Sequence, residues 1–531
     1  MRLTDLLTDL PNATLQGDPD VEVAGLAYDS RRVEPGDLFI AIRGLHVDGH
    51  DYIPQALAGG AVAVMAEAGR TLDLPVPLVQ VPDPHAAEAD LAAAFYGHPA
   101  RHMLVVGVTG TDGKTTTAFL CSSVLEAAGH TTALFGTVDF KIGPRRWANK
   151  TRQTSPEALE VHAFLHEAAE AGCSAAVLES SSHGLALHRL EHCEYDVAVL
   201  TNVTHEHLEL HGTVEAYRRA KARLFEMLGE TRKVGPEGTL HPGQGAGIVN
   251  LDDPNAPMYI ERTPGPLWTY AIHNERAIVR AREIDAGPEG ITFTAVTPAG
   301  EIPIRLHIPG NFNVYNAMAA ACVGLSQEVA PETIARGLEA VEGVTGRMQR
   351  VDEGQPFIVL VDYAHTPESF ETVMSLLRPV VRGRMIAVFG SAGERDREKR
   401  PMQGEIAARY CELLVITDED PRLEDREAIL AEIAAGAERL GKRERRDYLR
   451  IADRRQAIRT AFERAQPGDV VLLLGKGHEG CIFYPDQALP WDEAGVAGEL
   501  LRDMGYGRTK GKGQGARDKA PGARGREREG A

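Results

Sequence analysis

The chain has 531 residues, of which 43% are hydrophobic and 25% charged, a composition that is ordinary for a globular protein and excludes a fibrous, collagen-like or wholly disordered chain. At about 150 residues per domain, this length predicts three or four domains. The 57 Lys and Arg residues against 76 Asp and Glu residues give a formal net charge of −19, which argues against nucleic acid as the main partner.

The first predicted domain, residues 1–98, is a small α/β unit. Its N-terminal segment carries acidic residues where a secretory signal needs an apolar core, and no run in the chain approaches the ~18 apolar residues of a membrane-spanning helix. We therefore expect a cytoplasmic protein with no membrane insertion. Strand-like runs at 37–42 and 61–65 flank a helical stretch at 52–60, and the Gly-His-Pro sequence at 97–99 is typical of a linker.

The second predicted domain, residues 99–345, has the strand and helix pattern of a mostly parallel sheet. Short apolar runs at 103–108, 175–179 and 197–201 are bounded by turns, which is typical of strands buried on both faces. A helical stretch at 156–172 separates two of them, as a β-α-β crossover requires. The pattern predicts a central sheet of the P-loop type.

The third predicted domain, residues 346–505, restarts the same pattern. Its predicted strands are 357–362, 385–390, 413–418 and 470–475. We expect a Rossmann-like sheet that binds its ligand beyond the carboxyl ends of these strands. The remaining segment, 506–531, is predicted to be a disordered basic tail, because from Gly507 it has eight Lys or Arg residues and no large apolar side chain.

The segment MLVVGVTGTDGKTTTAFL joins a predicted strand to a predicted helix through a glycine-rich turn. Gly110 and Gly113 let the backbone turn tightly, so that its N–H groups and the helix N-terminus point at an anion. Lys114 supplies a cation for phosphate oxygens, and the Thr115 hydroxyl is placed to bind Mg²⁺. The segment predicts a site for the phosphates of a nucleotide.

Two further segments offer metal ligands near this loop. Glu179 closes the predicted strand AAVLE, where the magnesium ligand of such a sheet belongs. The loop TNVTHEHLELHG contains His205, His207 and His211. A second Mg²⁺ site or a substrate contact explains these histidines better than zinc, because none of the six scattered cysteines supports a zinc site. Surface histidines are the remaining alternative.

Ten short segments between residues 109 and 479 together carry a family resemblance, which covers roughly residues 20–503. In chain order they are TGTDGKTT, ESSSHG, TNVTHEHLELHG, AYRRAKARLF, GNFNVYNAMAA, GRMQ, DYAHTPES, FGSAGERDREKRP, EDPR and GKGHE. The chain resembles the Mur ligases of peptidoglycan synthesis, and among them the enzymes that add the third residue of the peptide. The resemblance implies three domains, which bind the uridine diphosphate end of the substrate, ATP and the incoming amino acid.

The resemblance also implies three groups of binding residues. The residues that match ATP contacts are Gly110, Thr111, Gly113, Lys114, Thr115, Thr116, Asn316, Arg347, Asp362 and His365. The residues that match contacts to the UDP-linked muramyl dipeptide are Ser30, Leu45, His46, Val47, Thr154, Ser155, Ser181 and Arg189. The residues that match amino-acid contacts are Arg395, Asp420, Arg422, Gly475 and Glu479.

The family resemblance implies a role for Lys221 that the sequence of its helix alone does not predict. By sequence chemistry alone it is one more solvated cation. The resemblance implies a carbamylated lysine, whose carbamate would be an oxygen ligand for Mg²⁺. The implied catalytic residues are Lys114, Lys221 and His207. The implied ligands of two Mg²⁺ ions are Thr115, Glu179, His207 and carbamylated Lys221.

The activity that the resemblance implies is ATP-dependent addition of a diamino acid to UDP-MurNAc-L-Ala-D-Glu through an acyl phosphate, by a monomer. Family members that use meso-diaminopimelate carry Asp-Asn-Pro-Arg, whereas residues 419–422 here are Glu-Asp-Pro-Arg. Arg422 favours the distal carboxylate of meso-diaminopimelate, which we expect to be the substrate. The extra negative charge of Asp420 favours an ammonium group, and it leaves L-lysine and L-ornithine open.

Two other classes of protein share part of this pattern. Folylpolyglutamate synthase has the same phosphate loop and ligase chemistry, but it lacks the N-terminal domain and the EDPR and GKGHE segments. A non-catalytic P-loop paralogue is the second alternative. Evidence against it is the presence of all five implied reacting or metal-binding residues: Lys114, Thr115, Glu179, His207 and Lys221.

Overall fold

The computed structural model describes residues 1–507 except for 11, 45–46, 150, 152, 205–207, 236 and 288. Three large sheets follow one another along the chain. Across the described ranges, no helix is long and apolar enough to cross a lipid bilayer. All six cysteines are free thiols, and five of them are buried. The predicted tail lies outside the described residues from 508 onward.

The N-terminal sheet has five strands in the order β1-β5-β4-β3-β2, parallel except for β1. The strands are β1 (Thr14–Gln16), β2 (Gly25–Ala27), β3 (Asp37–Ile40), β4 (Ala63–Glu67) and β5 (Leu78–Val81). The α-helices of this unit are α1 (Leu3–Leu6), α2 (Ile53–Ala58) and α3 (Pro84–Phe95). The helix α3 begins at Pro84, behind the Asp83 side chain, which accepts hydrogen bonds from two backbone N–H groups of the first turn.

The central sheet has eleven strands, with a parallel core and an antiparallel extension at each edge. The strands of the central unit are β6 (Leu104–Thr109), β7 (Thr132–Phe135), β8 (Asp139–Ile142), β9 (Arg145–Ala148), β10 (Ala175–Glu179), β11 (Val197–Leu200), β12 (Arg232–Val234), β13 (Leu240–Pro242), β14 (Ala246–Asn250), β15 (Leu267–Ala271), β16 (Val279–Gly287), β17 (Gly290–Thr297) and β18 (Gly300–Leu306). The sheet order is β18-β17-β16-β15-β14-β11-β6-β10-β7-β8-β9, and β12 pairs with β13 separately.

Eight α-helices accompany this central unit within the ranges that the structure describes. They are α4 (Lys114–Ala127), α5 (Ala158–Glu170), α6 (Ser182–Ala186), α7 (Leu208–His211), α8 (Val214–Met227), α9 (Ala256–Glu261), α10 (Phe312–Ser326) and α11 (Pro331–Glu339). Apolar clusters cover both faces of the sheet. Val105 of β6 belongs to one cluster, and Val106 and Val108 belong to the other, as the alternation of side chains along a strand requires.

The C-terminal sheet has six strands in the order β19-β20-β24-β21-β22-β23, parallel except for β19. The strands of this unit are β19 (Gln349–Val351), β20 (Ile358–Asp362), β21 (Met385–Phe389), β22 (Leu413–Ile416), β23 (Tyr448–Arg450), β24 (Val470–Leu474), β25 (Cys481–Phe483) and β26 (Ala488–Pro490), the last two forming a separate hairpin. Its α-helices are α12 (Pro367–Leu377), α13 (Lys399–Tyr410), α14 (Arg426–Arg439), α15 (Arg454–Arg464) and α16 (Glu493–Asp503).

One glycine in β6 sets how closely α8 packs on the central sheet. A Cβ at Gly107 would lie 2.7 Å from Leu224 of α8 and 2.7 Å from the Tyr195 ring. Only a residue without a side chain permits this approach. The close packing matters because α8 also carries Lys221.

The predicted α/β fold with a mostly parallel central sheet and a Rossmann-like C-terminal sheet is confirmed. The exact domain boundaries stay predictions. The ring of Tyr506, one residue beyond the last predicted boundary, lies 6.1 Å from the ring of Phe357 in the C-terminal unit. The antiparallel strands β16–β18 were not distinguished in the sequence, although β17 alternates between buried and exposed residues.

Candidate active site

The phosphate loop connects β6 to α4 at the carboxyl edge of the central sheet. Gly110 and Gly113 have φ angles of 150° and 81°, and a Cβ at Gly110 would lie 1.8 Å from the Thr201 hydroxyl oxygen. The Lys114 ammonium donates to the carbonyl oxygens of Gly110 at 3.0 Å and Thr111 at 2.7 Å. The loop is therefore a concave backbone surface with a lysine folded over it, as an anion site requires.

Glu179 lies beside this loop because its strand, β10, pairs with β6 and places Glu179 opposite Val108. Its carboxylate is fully buried and accepts a hydrogen bond from the Thr115 hydroxyl at 3.0 Å. Thr137, just beyond β7, donates to the same carboxylate through its backbone N–H and its hydroxyl, each at 2.9 Å. Three donors therefore fix this carboxylate in orientation.

Lys221 is 1% exposed, so the interpretation of this residue as a solvated cation is wrong. Its ammonium donates to the carbonyl oxygen of Gly110 at 2.6 Å and lies 4.5 Å from the centre of the Tyr217 ring. The Tyr217 hydroxyl is in turn 3.0 Å from the Thr111 hydroxyl. Two side chains of α8 thus contact the phosphate loop directly.

The donor set at this edge fits magnesium. In nucleotide sites Mg²⁺ is commonly held by one or two protein oxygens together with phosphate oxygens and water, and Thr115 with Glu179 offers such a pair. In the described part of the chain, no group of three or more His, Cys, Asp or Glu side chains gathers as a metal site. His205 and His207 lie outside the described residues, whereas the His211 ring is 5.4 Å from Tyr217.

Two residues predicted to contact the muramyl dipeptide are connected to Glu179 by hydrogen bonds, one directly and one through Thr137. The Ser155 hydroxyl donates to the Glu179 carbonyl oxygen at 3.0 Å. The Thr154 hydroxyl lies 3.0 Å from that of Thr137, which holds the Glu179 carboxylate. The predicted peptide site and the predicted metal site therefore share one hydrogen-bond network.

Ser181 and Arg189 extend this network. The Ser181 hydroxyl donates to the Ser155 hydroxyl at 3.0 Å. Arg189 donates to the Ser155 carbonyl oxygen at 3.1 Å and to the Glu157 carboxylate at 2.6 Å. The guanidinium is thus oriented at the edge of this site by Glu157, which the sequence analysis did not single out.

The N-terminal unit meets the central unit close to these residues. The Tyr28 hydroxyl donates to Glu160 at 2.5 Å, and Glu88 accepts a hydrogen bond from the Leu159 N–H at 3.3 Å. Burial, helped by the negative charge of Glu157, raises the pKa of Glu88 to about 8. Glu88 is therefore largely protonated at neutral pH.

The residues predicted to contact uridine diphosphate lie in the N-terminal unit. The Ser30 hydroxyl donates to the Gln55 side-chain oxygen at 3.0 Å. Val47 is 53% exposed. Leu45 and His46 lie outside the described residues.

The remaining predicted ATP contacts fall into two places. Asn316 of α10 accepts a hydrogen bond from Thr117 at 3.1 Å, and its side chain lies 2.4 Å from where a Cβ at Gly113 would be. The other three surround Tyr363 in the C-terminal unit. These three are Arg347, whose guanidinium is 5.2 Å from the Tyr363 ring, His365, whose ring is 4.6 Å away, and Asp362, the preceding residue. Burial raises the pKa of Asp362, and the charge of Arg347 opposes that rise.

Three of the residues predicted to contact the amino acid lie around the buried side chains of Lys476 and Glu419 in the C-terminal unit. Asp420 and Glu479 are bridged by the buried ammonium of Lys476, at 2.8 Å and 2.6 Å. Gly475 lies beside Glu419, because its Cβ would be 3.0 Å from a Glu419 carboxylate oxygen.

The two predicted arginines lie on loops of the same unit. Arg422 has a left-handed backbone with φ of 55°, and its N–H donates to the Phe483 carbonyl oxygen at 2.9 Å. Arg395 is solvent-exposed. The structure thus places Arg422 in direct contact with the hairpin that follows the GKGHE segment.

Four residues that contact the site were missed in the sequence: Thr137, Glu157, Tyr217 and Lys476. A signal existed for Thr137, which follows a strand at the same sheet edge as Glu179. A signal also existed for Tyr217 and Lys476, which lie inside the AYRRAKARLF and GKGHE segments. Glu157 acts through contacts that only the fold creates.

Three α/β units with a phosphate loop on the central sheet define a nucleotide-binding protein of three domains. Three family profiles match this chain: the Mur ligase family catalytic domain over residues 22–96, the Mur ligase middle domain over 108–324, and the Mur ligase glutamate ligase domain over 346–477. The chain belongs to the Mur ligase family.

Individual relatives match over almost the whole chain. The chain is 54% identical to a UDP-N-acetylmuramyl-tripeptide synthetase of Roseiflexus sp. (strain RS-1), over 96% of this chain and 100% of the relative. It is 41% identical to a UDP-N-acetylmuramoyl-L-alanyl-D-glutamate–2,6-diaminopimelate ligase of Syntrophomonas wolfei, over 94% and 99%. A solved structure of a ligase with that same name superposes with a TM-score of 0.68 at 29% identity, over 95% of this chain and 100% of that one.

Proposed function

We propose that this protein is an ATP-dependent, ADP-forming ligase that adds the third-position diamino acid to UDP-MurNAc-L-Ala-D-Glu during peptidoglycan precursor synthesis. The observation that carries the proposal is the single network joining the phosphate loop, Glu179 and the peptide-site residue Ser155. A phosphate-transfer site and a peptide site that share hydrogen bonds can bring a carboxylate to a γ-phosphate. The family membership and the full-length relatives support it.

The reaction needs activation because a free carboxylate does not expel oxide when an amine attacks it. The D-Glu carboxylate first attacks the γ-phosphate of ATP, which forms an acyl phosphate and releases ADP. The amine of the diamino acid then attacks the acyl carbon, and inorganic phosphate leaves. Lys114 stabilises the charge on the phosphoryl oxygens, and Arg189 holds an anionic part of the muramyl dipeptide.

Magnesium would be held by Thr115 and Glu179, together with His207 and a carbamate on Lys221. Two bound Mg²⁺ ions would neutralise the charge on the transferring phosphoryl group. The buried position of Lys221 beside Gly110 supports its assignment to this site. Thr137 keeps the Glu179 carboxylate in position.

We propose meso-diaminopimelate as the amino acid. Arg422 matches the arginine that grips the distal carboxylate in relatives with that specificity, and one of the full-length relatives is named for 2,6-diaminopimelate. The second candidate is L-lysine or L-ornithine. The carboxylate of Asp420, where an asparagine is expected for diaminopimelate, favours that candidate.

Two features separate this function from its alternatives. A folylpolyglutamate-type ligase would not need the N-terminal domain, which here matches the Mur ligase family over residues 22–96. A non-catalytic paralogue would not need to keep Lys114, Glu179 and Lys221 in contact with one loop. The requirement for ATP and a nucleotide-linked substrate supports a cytoplasmic location, and action as a monomer stays a prediction.

The test is to incubate the purified enzyme with UDP-MurNAc-L-Ala-D-Glu, ATP, Mg²⁺ and each of the three diamino acids. We expect the mass spectrum to show the tripeptide product with meso-diaminopimelate, with one ADP released per amide formed. A reaction without ATP is the control. Clear preference for lysine or ornithine would replace the first candidate by the second, and the absence of product with all three would refute the proposed function.

A further inference from the structure

The predicted amino-acid pocket contains a buried cation. Lys476 is 0% exposed, and its ammonium donates to Asp420 Oδ1 at 2.8 Å and Glu479 Oε2 at 2.6 Å. Both partners are predicted contacts of the incoming amino acid. A buried lysine between two carboxylates fixes the orientation of both and cancels one of their two charges.

Other contacts hold this arrangement in place. The Phe483 backbone N–H donates to Asp420 Oδ1 at 3.0 Å, and the Tyr363 hydroxyl donates to Glu479 Oε1 at 3.4 Å. The adjacent Glu419 is 6% exposed, and its Oε2 has no hydrogen-bond partner among the described residues. That oxygen faces Gly475. A buried acceptor without a donor points to a ligand that brings one, such as an ammonium group.

The charges of the trio Asp420, Lys476 and Glu479 can be counted. Two carboxylates and one ammonium give a net charge of about −1 at neutral pH. With an asparagine at position 420, Lys476 and Glu479 alone would give about zero. Lys476 therefore limits the negative field that the additional carboxylate of this chain creates.

We propose that Lys476 is the positioning residue that sets the choice of this pocket between diamino acids with and without a second carboxylate. The inference rests on the proposed function, because it assumes that the amino acid binds at Asp420 and Glu479. Each added negative charge in the trio weakens the binding of meso-diaminopimelate, whose distal end carries a carboxylate, relative to L-lysine or L-ornithine.

The test measures kcat and KM of the full-length enzyme for meso-diaminopimelate, L-lysine and L-ornithine. The readout is the selectivity ratio, kcat/KM for lysine or ornithine divided by kcat/KM for meso-diaminopimelate. We expect Lys476→Met to raise this ratio about tenfold and Asp420→Asn to lower it about tenfold, mainly through KM. The double variant Asp420→Asn/Lys476→Met has the wild-type charge, and its ratio should return to within about threefold of wild type.

Lys476→Arg keeps the charge and is the matched control, with an unchanged ratio expected. If Lys476→Met does not fold, the comparison of the double variant with Asp420→Asn makes the same test, because they differ by the same charge. If Lys476→Met lowers kcat/KM by the same factor for all three amino acids, the role of Lys476 is merely structural and the inference is overturned. The ligase activity of the wild type would still stand. A wild type that forms no product with any of the three would overturn the proposed function and this inference with it.

Discussion

The phosphate loop and the predicted amino-acid pocket are built by different means. The loop is shaped by its own backbone, with positive φ at Gly110 and Gly113 and with carbonyl oxygens that receive Lys114. The pocket is shaped by opposite charges on separate segments, since Lys476 reaches Asp420 across 56 positions of the chain.

This difference follows from what each site must recognise. A triphosphate presents the same charged oxygens to every enzyme that uses it, so one contiguous glycine-rich segment suffices. meso-Diaminopimelate differs from L-lysine by a single carboxylate, and side-chain charges discriminate between them. The following experiments test this contrast, starting with the change expected to have the largest effect.

Lys114→Ala tests the phosphate loop most directly. We expect kcat/KM to fall at least about 1,000-fold, or about 4 kcal/mol, because the variant loses the ammonium that would offset the charge on the phosphoryl oxygens. The measurement is ADP release together with amide formation. Lys442→Ala is the matched control, since Lys442 also donates to a backbone carbonyl, that of Cys411, but far along the chain from the loop. Full activity of Lys114→Ala would refute the assigned role.

Lys221→Ala tests the second lysine at the same loop. We expect activity to fall about 100-fold, or about 3 kcal/mol, and to be partly restored by short carboxylates, because these supply the oxygen ligands of a lost carbamate. Lys221→Arg is the control, because an arginine fills the space and should not respond to added carboxylate. Activity of Lys221→Ala like that of the wild type would contradict the assignment.

His478→Gln tests whether the region of the predicted amino-acid pocket loses folding stability in acid. Burial, with the positive charges of Arg347 and Lys476 nearby, lowers the pKa of His478 to about 4. Between this value and the unfolded value of about 6.5, the unfolded chain binds more protons, so stability falls as the pH drops through this window.

At pH 5 this loss amounts to about 2 kcal/mol, which the glutamine variant should not suffer. Unfolding curves of both proteins at pH 5 and pH 8 give the measurement. The exposed residue His273 offers a control, as His273→Gln should leave the pH dependence unchanged. An identical acid dependence of His478→Gln and wild type would show that the histidine does not contribute.

Thr137→Val is expected to have the smallest effect. It removes one of the two hydrogen bonds that Thr137 donates to Glu179 but keeps the backbone N–H. We expect the Mg²⁺ concentration for half-maximal activity to rise about tenfold, or about 1.4 kcal/mol, as for other residues that orient a metal ligand. Thr137→Ser keeps the hydroxyl and should behave like wild type. An unchanged Mg²⁺ requirement would separate Thr137 from the metal site.

The fold was largely predictable where strands are short, apolar and bounded by turns. The run at 175–179 became β10 with the same bounds, and 357–362 became β20 with one residue fewer. The strand β9 was missed because it is an exposed, polar edge strand, and its neighbour β8 was missed because it is short and has polar residues at two of its four positions. Burial on both faces leaves a clear sequence signal, whereas an edge strand leaves a weak one.

The candidate site was predictable to the extent that its residues lie in contiguous motifs. Thr115 and Glu179, both singled out in the sequence, are joined by a hydrogen bond, and Lys114 folds over the same loop. The bridging role of Lys476 was not predictable, since it depends on the pairing of two loops at the end of the C-terminal sheet. The roles proposed for the site residues stay predictions, and His207, Leu45 and His46 lie outside the described residues.

A last consequence concerns Glu179, whose carboxylate is held by Thr115 and Thr137 while its carbonyl oxygen receives Ser155. One residue therefore faces the phosphate loop with its side chain and the predicted peptide site with its main chain. Drug resistance through substitution at Ser155 would be difficult, because a change that excludes an inhibitor from the peptide side would also remove a hydrogen bond from the residue whose carboxylate lies at the phosphate loop.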